Sequence, residues 1–183
     1  MTRVAKRYNT SYKKKVDVER DVYLPSRSPR GLLLCHDCGS VYYRRRWTLT
    51  PPRQIHDRIN SDKDVSSTVC PACRKVRERF PNGELHMRGV SKGEVGELIR
   101  LLRNEEQRAR EKNPLERIMR VVTTNNELRL ETTTEKLAQR LGRCLRKARG
   151  GTVSYKWSHN NRYARVVWTG ATLAGKSESI WPG

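Results

Sequence analysis

Between residues 115 and 169 the apolar positions change period twice. Ile118 to Val122 and Leu128 to Thr132 read as two strands joined by a turn at Thr124-Asn125-Asn126. Leu137, Leu141, Cys144, Leu145 and Ala148 then recur at helical spacing, and Gly150-Gly151 stops the run. Thr132 and Glu135 stand three apart, as a capping box would before this helix. Val153, Tyr155 and Trp157 alternate as a third strand, Asn160-Asn161 reads as a second turn, and Tyr163 to Trp168 as a fourth strand. The order β-β-α-β-β predicts a four-stranded sheet with the helix packed on one face.

The preceding stretch reads differently. Ser91 and Glu94 form the pattern S-x-x-E, and Val95, Leu98, Ile99 and Leu102 follow at i, i+3, i+4 and i+7. Beyond Arg103 the pattern turns polar, and Asn113-Pro114 ends it. This predicts a helix over 91–113 that links two halves as a partly solvated rod. Further upstream, Gly31-Leu-Leu-Leu34 and Val41-Tyr42-Tyr43 read as short strands, Pro51-Pro52 opens a polar loop, and Arg74 to Phe80 reads as a short basic helix. Residues 1–30 show no apolar period and are broken by Pro25 and Pro29, so a flexible arm is expected there, as is a flexible tail at 170–183.

Cysteine spacing changes the picture. Cys35-His-Asp-Cys38 and Cys70-Pro-Ala-Cys73 are two C-x2-C pairs, and each such turn offers two thiolates to one ion. Cys35, Cys38, Cys70 and Cys73 are therefore the expected ligands of one Zn²⁺ ion. The spacer from Gly39 to Val69 is long, but the cost of closing a loop grows only slowly with its length. Disulfides or a redox pair are the competing readings; a redox pair would need a single C-x-x-C at the end of a βαβ strand. His36 or His56 could replace a cysteine, although the thiolates alone complete the count. His86 and His159 read as surface residues and Cys144 as a buried free thiol. The expected fold class is thus α+β. A small treble- or ribbon-type zinc module at 31–90 is followed by the linking helix and a β-β-α-β-β domain at 114–169.

Charge indicates the partner. The chain has 183 residues, with 39 Lys and Arg against 19 Asp and Glu, a formal net charge of +20. Hydrophobic residues make up 35%, too few for one large core. The excess is spread out, and residues 114–169 alone hold 12 basic and 4 acidic residues. Such a field concentrates nucleic acid and releases its counterions. On the helix after Thr134, Lys136, Arg140, Arg143 and Lys147 fall in one stripe with no acid along it, about 110° from the apolar face. Arg44-Arg45-Arg46-Trp47 and the group Arg74, Lys75 and Arg77 form further patches beside the cysteines, and Lys13-Lys14-Lys15 lies in the arm. Arginines would meet phosphates, and Trp47 would either stack on a base or pack in the core. No apolar run approaches the ~20 residues that span a bilayer. The start, Met1 to Lys6, has a basic flank with no apolar segment behind it, so a cytoplasmic protein without membrane contact is expected.

With these residues in hand, the chain resembles a family of small bacterial zinc-knuckle proteins. The resemblance is carried by Cys35-His-Asp-Cys38-Gly39, Arg46-Trp47 and Cys70-Pro-Ala-Cys73-Arg74-Lys-Val-Arg77-Glu-Arg79. Asn104-Glu105-Glu106, Asn113-Pro114-Leu115-Glu-Arg-Ile-Met119 and Glu131-Thr-Thr-Thr134 also carry it. More distantly, the layout is similar to the amino-terminal half of the zinc-bearing adaptor of archaea and eukaryotes that binds the large ribosomal subunit. That adaptor has more C-x-x-C pairs, and its export signal has no counterpart here. The resemblance implies binding to the ribosome and its rRNA, without export.

The expected function is a non-enzymatic zinc-containing RNA-binding protein that associates with rRNA and ribosomal proteins, at the large subunit. Its role would lie in assembly, anti-association or dormancy. It is expected to be a monomer when free, with no small-molecule substrate. The alternative is a zinc-dependent DNA-binding transcriptional regulator. An enzyme such as a nuclease would need a carboxylate cluster for a catalytic metal, or a nucleophile with a base.

Overall fold

The computed structural model describes residues 22–24, 29–61, 64–124, 127–158 and 163–170. The described residues form a mixed α+β structure with two sheets. The smaller sheet holds β1 (Leu32–Cys35), β2 (Val41–Tyr43), β3 (Arg46–Thr48) and β4 (Val65–Thr68), in the order β3-β2-β1-β4. Arg44 and Arg45 turn the β2–β3 hairpin with φ of 48° and 65°, the left-handed geometry a two-residue hairpin loop requires. β4 lies parallel to β1, so a crossover must join them. Part of that crossover is helix α1 (Arg53–Asn60), where a polar loop was expected. Its Ile55 and Ile59, four apart, pack with Leu32, Leu34, Val41, Tyr43 and Val65. A helix of eight residues has little stability alone, and two isoleucines make a weak periodic signal. The apolar face of the sheet makes this helix.

Helix α2 (Pro71–Glu78) then leads to the larger sheet. That sheet contains β5 (Gly83–Arg88), β6 (Ile118–Thr123), β7 (Glu127–Thr132), β8 (Thr152–Trp157) and β9 (Ala164–Thr169), in the order β6-β7-β5-β9-β8. This corrects the four-stranded expectation. The two hairpins are present, but β5 lies between them, antiparallel to β7 and parallel to β9. Gly83-Glu-Leu-His-Met-Arg88 does alternate in period two, with Leu85 and Met87 fully buried. Its place beside β7 and β9 is a long-range pairing that no local pattern carries.

Helices α3 (Val95–Lys112) and α4 (Glu135–Arg149) cover one face of this sheet. α3 is not a solvated link between halves. Leu98, Leu102 and Ala109 enter the same core as Leu128, Leu130, Leu137, Leu141, Leu145 and Val166. Even Glu106 is buried, and its carboxylate accepts the Ile118 N–H at 2.7 Å. Ser91 and Glu94 do bond, the Ser91 hydroxyl donating at 2.5 Å, just before the first turn of α3. The cap of α4 is Thr134 rather than Thr132: its hydroxyl accepts the Leu137 N–H at 3.2 Å, while Thr132 donates to the Thr134 carbonyl. Gly142 lets α4 come close, since a Cβ there would meet Val166 at 2.7 Å and Val153 at 3.3 Å.

The other face of the larger sheet is polar. Glu84, fully buried on the central strand, meets Arg129 on β7 at 2.6 Å, His86 at 3.0 Å, and Arg165 on β9. Burial alone would raise its pKa, but the hydrogen bonds from His86 and Arg165 and the charge of Arg129 outweigh that and hold it at about 2. Burial, and the Glu84 charge beside it, push the Tyr163 phenol up to about 12. One carboxylate thus ties three strands together. Its folded-state pKa lies below the ordinary 4.5, so its contribution is complete above about pH 4.5 and is lost as pH falls towards 2. Glu84→Gln should lower stability at pH 7 by about 2 kcal/mol, and denaturant midpoints of wild type and variant should converge near pH 2.

Candidate metal centre and cation row

Parallel pairing solves the long spacer. Cys35 at the end of β1 stands opposite Thr68 at the end of β4, and Cys70 follows two residues later. The His36 N–H donates to the Thr68 carbonyl at 3.1 Å and extends this match. Between Cys35 and Cys38 the chain turns back through Gly39, whose φ of +71° is costly for any side chain and whose N–H closes on the Cys35 carbonyl at 2.9 Å. The second pair opens α2. Cys70 is its N-cap, Pro71 fills the first helical position, and the Cys70 sulfur accepts the Cys73 N–H at 3.4 Å.

The four Sγ atoms all lie within 4.8 Å of one another, and Cys38 and Cys70 are 3.7 Å apart. A tetrahedron with Zn–S bonds of ~2.3 Å has an edge of about 3.8 Å, so the sulfurs already stand where such a shell requires them. All four are free cysteines rather than disulfide partners. The Cys70 N–H donates to Cys35 Sγ at 3.2 Å, and Arg117 Nη1 donates to Cys73 Sγ at 3.1 Å. Such donors offset the surplus negative charge of four thiolates around a dication. Neither histidine contributes. His36 is half-exposed and faces Ser67 and Asp37, and His56 faces Asn60 on α1.

The hydrogen bond to Cys70 draws the Cys38 thiol down to about 4, and the same contact pushes Cys70 up. Burial pushes Cys73 up to about 11. The bare cluster therefore accepts one thiolate and resists the next, and only a cation at its centre favours all four. The arrangement is a cysteine cluster that could hold a metal ion with a closed donor set.

This site is tied to the larger sheet. Leu115 and Trp47 pack against the cysteines. Burial alone would lower the pKa of Arg117, but the Cys73 sulfur beside it raises it. Thr133 is fully buried and joins the two parts: it donates to the Leu115 carbonyl, its oxygen accepts the Arg117 N–H at 2.8 Å, and its own carbonyl accepts Lys75 Nζ at 3.3 Å. Arg117 and Thr133 have no local signature, because their roles exist only once β6 and the β7–α4 turn meet α2.

Among the residues singled out for RNA, the structure separates supports from free cations. Lys75 is buried and works as a tether, not a solvent-facing contact. Trp47 is half-buried and packs against Tyr42 with the rings tilted by 58° and their centroids 5.5 Å apart, so the packing reading applies. Arg77 pairs with Asp37, and Arg74 lies over the ring of Tyr23, which is itself buried on α2, so this part of the amino-terminal arm is docked. Arg44 lies over the Tyr43 ring, and Arg44, Arg45 and Arg46 are exposed. Lys13, Lys14 and Lys15, and His159 with the Asn160-Asn161 turn, lie outside the described residues.

On α4, Lys136, Arg143 and Lys147 are exposed and aligned. Arg140 differs. It pairs with Glu105 of α3 at 2.5 Å, so an acid does enter the stripe, from a neighbouring helix rather than from α4. Cys144 is half-buried in the groove between α3 and α4 instead of fully enclosed, and burial raises its pKa. Among the described residues no helix is long and apolar enough to cross a membrane. The chain matches no family model, no curated protein and no solved structure.

Elemental analysis of purified protein should find one metal ion per chain, and Cys70→Ser should lose it with a drop in stability of several kcal/mol. Arg117→Met should keep the ion but bind it about tenfold more weakly, read by competition with a chelator.

Proposed function

We propose that this is a non-enzymatic RNA-binding protein whose four cysteines hold a structural Zn²⁺ ion, and that it associates with the ribosome through rRNA of the large subunit. Four soft thiolates in a tetrahedral shell suit zinc, and they leave no open position for a substrate or water. The observation that carries the RNA reading is the row Lys136, Arg143 and Lys147, presented by a helix whose opposite face is locked in the core. Aligned cations on a rigid helix match a phosphate backbone without a large entropy loss, within a chain of formal net charge +20. Arg44, Arg45 and Arg46, beside the metal site, would add a second contact to the same polyanion. A cytosolic role in assembly, anti-association or dormancy agrees with such a surface, as does the resemblance to a large-subunit adaptor.

Sucrose-gradient sedimentation of a low-salt lysate should place the protein with the large subunit, and raising the salt should release it. Sedimentation only at the top of the gradient would refute ribosome association. Lys136→Glu, Arg143→Glu and Lys147→Glu together should leave the melting temperature unchanged and lower the slope of log K against log salt for an rRNA fragment by about one per cation removed. Arg140 is spared because its reversal would also break the bond to Glu105. Tighter binding to duplex DNA than to rRNA at matched salt would favour a DNA-binding regulator instead.

A further inference from the structure

Val153, Tyr155 and Trp157 alternate along β8 and so share one face of the strand. The structure divides them. Val153 packs against the core, but Tyr155 is 38% exposed and Trp157 41% exposed. All three face the helical side of the sheet, because they stand opposite Trp168, Val166 and Ala164 of β9, two of which belong to the helix-covered core. They differ because cover runs out. α3 sits towards β6 at one edge of the sheet, where Glu106 meets Ile118, and α4 lies over β5 and β9 and reaches β8 at Val153, short of Tyr155 and Trp157. β8 is the opposite edge, and among the described residues it pairs only with β9. Among the described residues, two large rings are therefore left beside α4 with no helix above them.

The flank of α4 turned to this strand is basic. Arg140 and Cys144 face α3. Arg146 lies two residues beyond Cys144, about 160° around the helix, and so turns to the β8 side, while Arg143 stands on the crest, at the rim of the groove to α3. Both arginines are exposed. Along the strand, Tyr155 and Trp157 are two residues apart, so their rings are offset by about 6.6 Å.

We propose that this edge is a platform for single-stranded RNA, with Tyr155 and Trp157 stacking on unpaired bases while Arg143 and Arg146 meet the adjoining phosphates. The proposal rests on the RNA-binding reading and names the strand type it selects. Exposed ring faces offer nothing to a duplex, whose bases are already stacked, but gain from bases that are splayed out. The cations beside the rings favour a polyanion over a second polypeptide strand added to the edge.

The test uses the full chain, with fluorescence anisotropy of a labelled unstructured RNA of about a dozen nucleotides and of an RNA duplex of the same length. Tyr155→Ala with Trp157→Ala should weaken single-strand binding at least about tenfold while duplex affinity and the salt slope stay unchanged. Tyr155→Phe with Trp157→Phe should restore most of the loss, which a merely structural defect would not do. Unchanged single-strand affinity in the alanine variant, beside a clear loss in the α4 charge-reversal variant, overturns the platform and leaves the RNA-binding reading standing. So does an alanine variant whose only change is its oligomeric state, since the edge would then be a self-association surface. Wild-type protein that binds neither probe overturns both.

Discussion

Four sulfur atoms within 4.8 Å of one another set the terms for the amino-terminal part of this protein. Four thiolates at that distance repel strongly in a partly buried site, and four thiols there would waste their donors on one another. A dication at their centre would remove the conflict and convert a repulsive cluster into a clamp. The smaller sheet has little other apolar core: among its described residues and those of α1, Leu32, Val41, Tyr42 and Ile55 are the apolar side chains below a tenth exposed outside the cysteine cluster itself. So small a core gives limited stability, and a metal ion held by the four cysteines would tie β1 to the start of α2 where apolar packing is thin.

The clamp also sets orientation. Arg117 reaches back from the start of β6 to a metal-site sulfur, and Lys75 reaches forward from α2 to the Thr133 carbonyl. Both are long cationic side chains with defined partners, Lys75 buried and Arg117 half-buried, where burial without a partner would be costly. Their use as tethers removes them from the pool of solvent-facing cations. Arg140, Arg165 and Arg129 are diverted in the same way, to Glu105 and Glu84. Net charge therefore overstates the exposed positive surface, which is set by the cations that remain exposed, those on α4 and in the β2–β3 turn among them.

A polar face and a basic face thus stand on opposite sides of the larger sheet. On one, Glu84 neutralises the arginines of neighbouring strands and holds the sheet flat side together. On the other, α4 buries one flank and raises a line of cations, with the aromatic edge of β8 next to it. The division follows from period-two alternation in β5, β7 and β9, which sends every second residue to the uncovered face.

The sequence by itself determined the elements with strong local periods: β1, β2, α2, both hairpins of the larger sheet, the amphipathic α4, and the spacing that makes Cys35, Cys38, Cys70 and Cys73 a metal site. These are written in patterns of a few neighbouring residues, which local sterics and burial can read. Only the tertiary structure decided that β5 separates the hairpins, that α3 belongs to the core, that two isoleucines suffice for α1, and that Trp47 packs while Trp157 is left open. Each of those depends on what stands opposite in space, and the free energy of a side chain is set by that neighbour rather than by its own position in the chain.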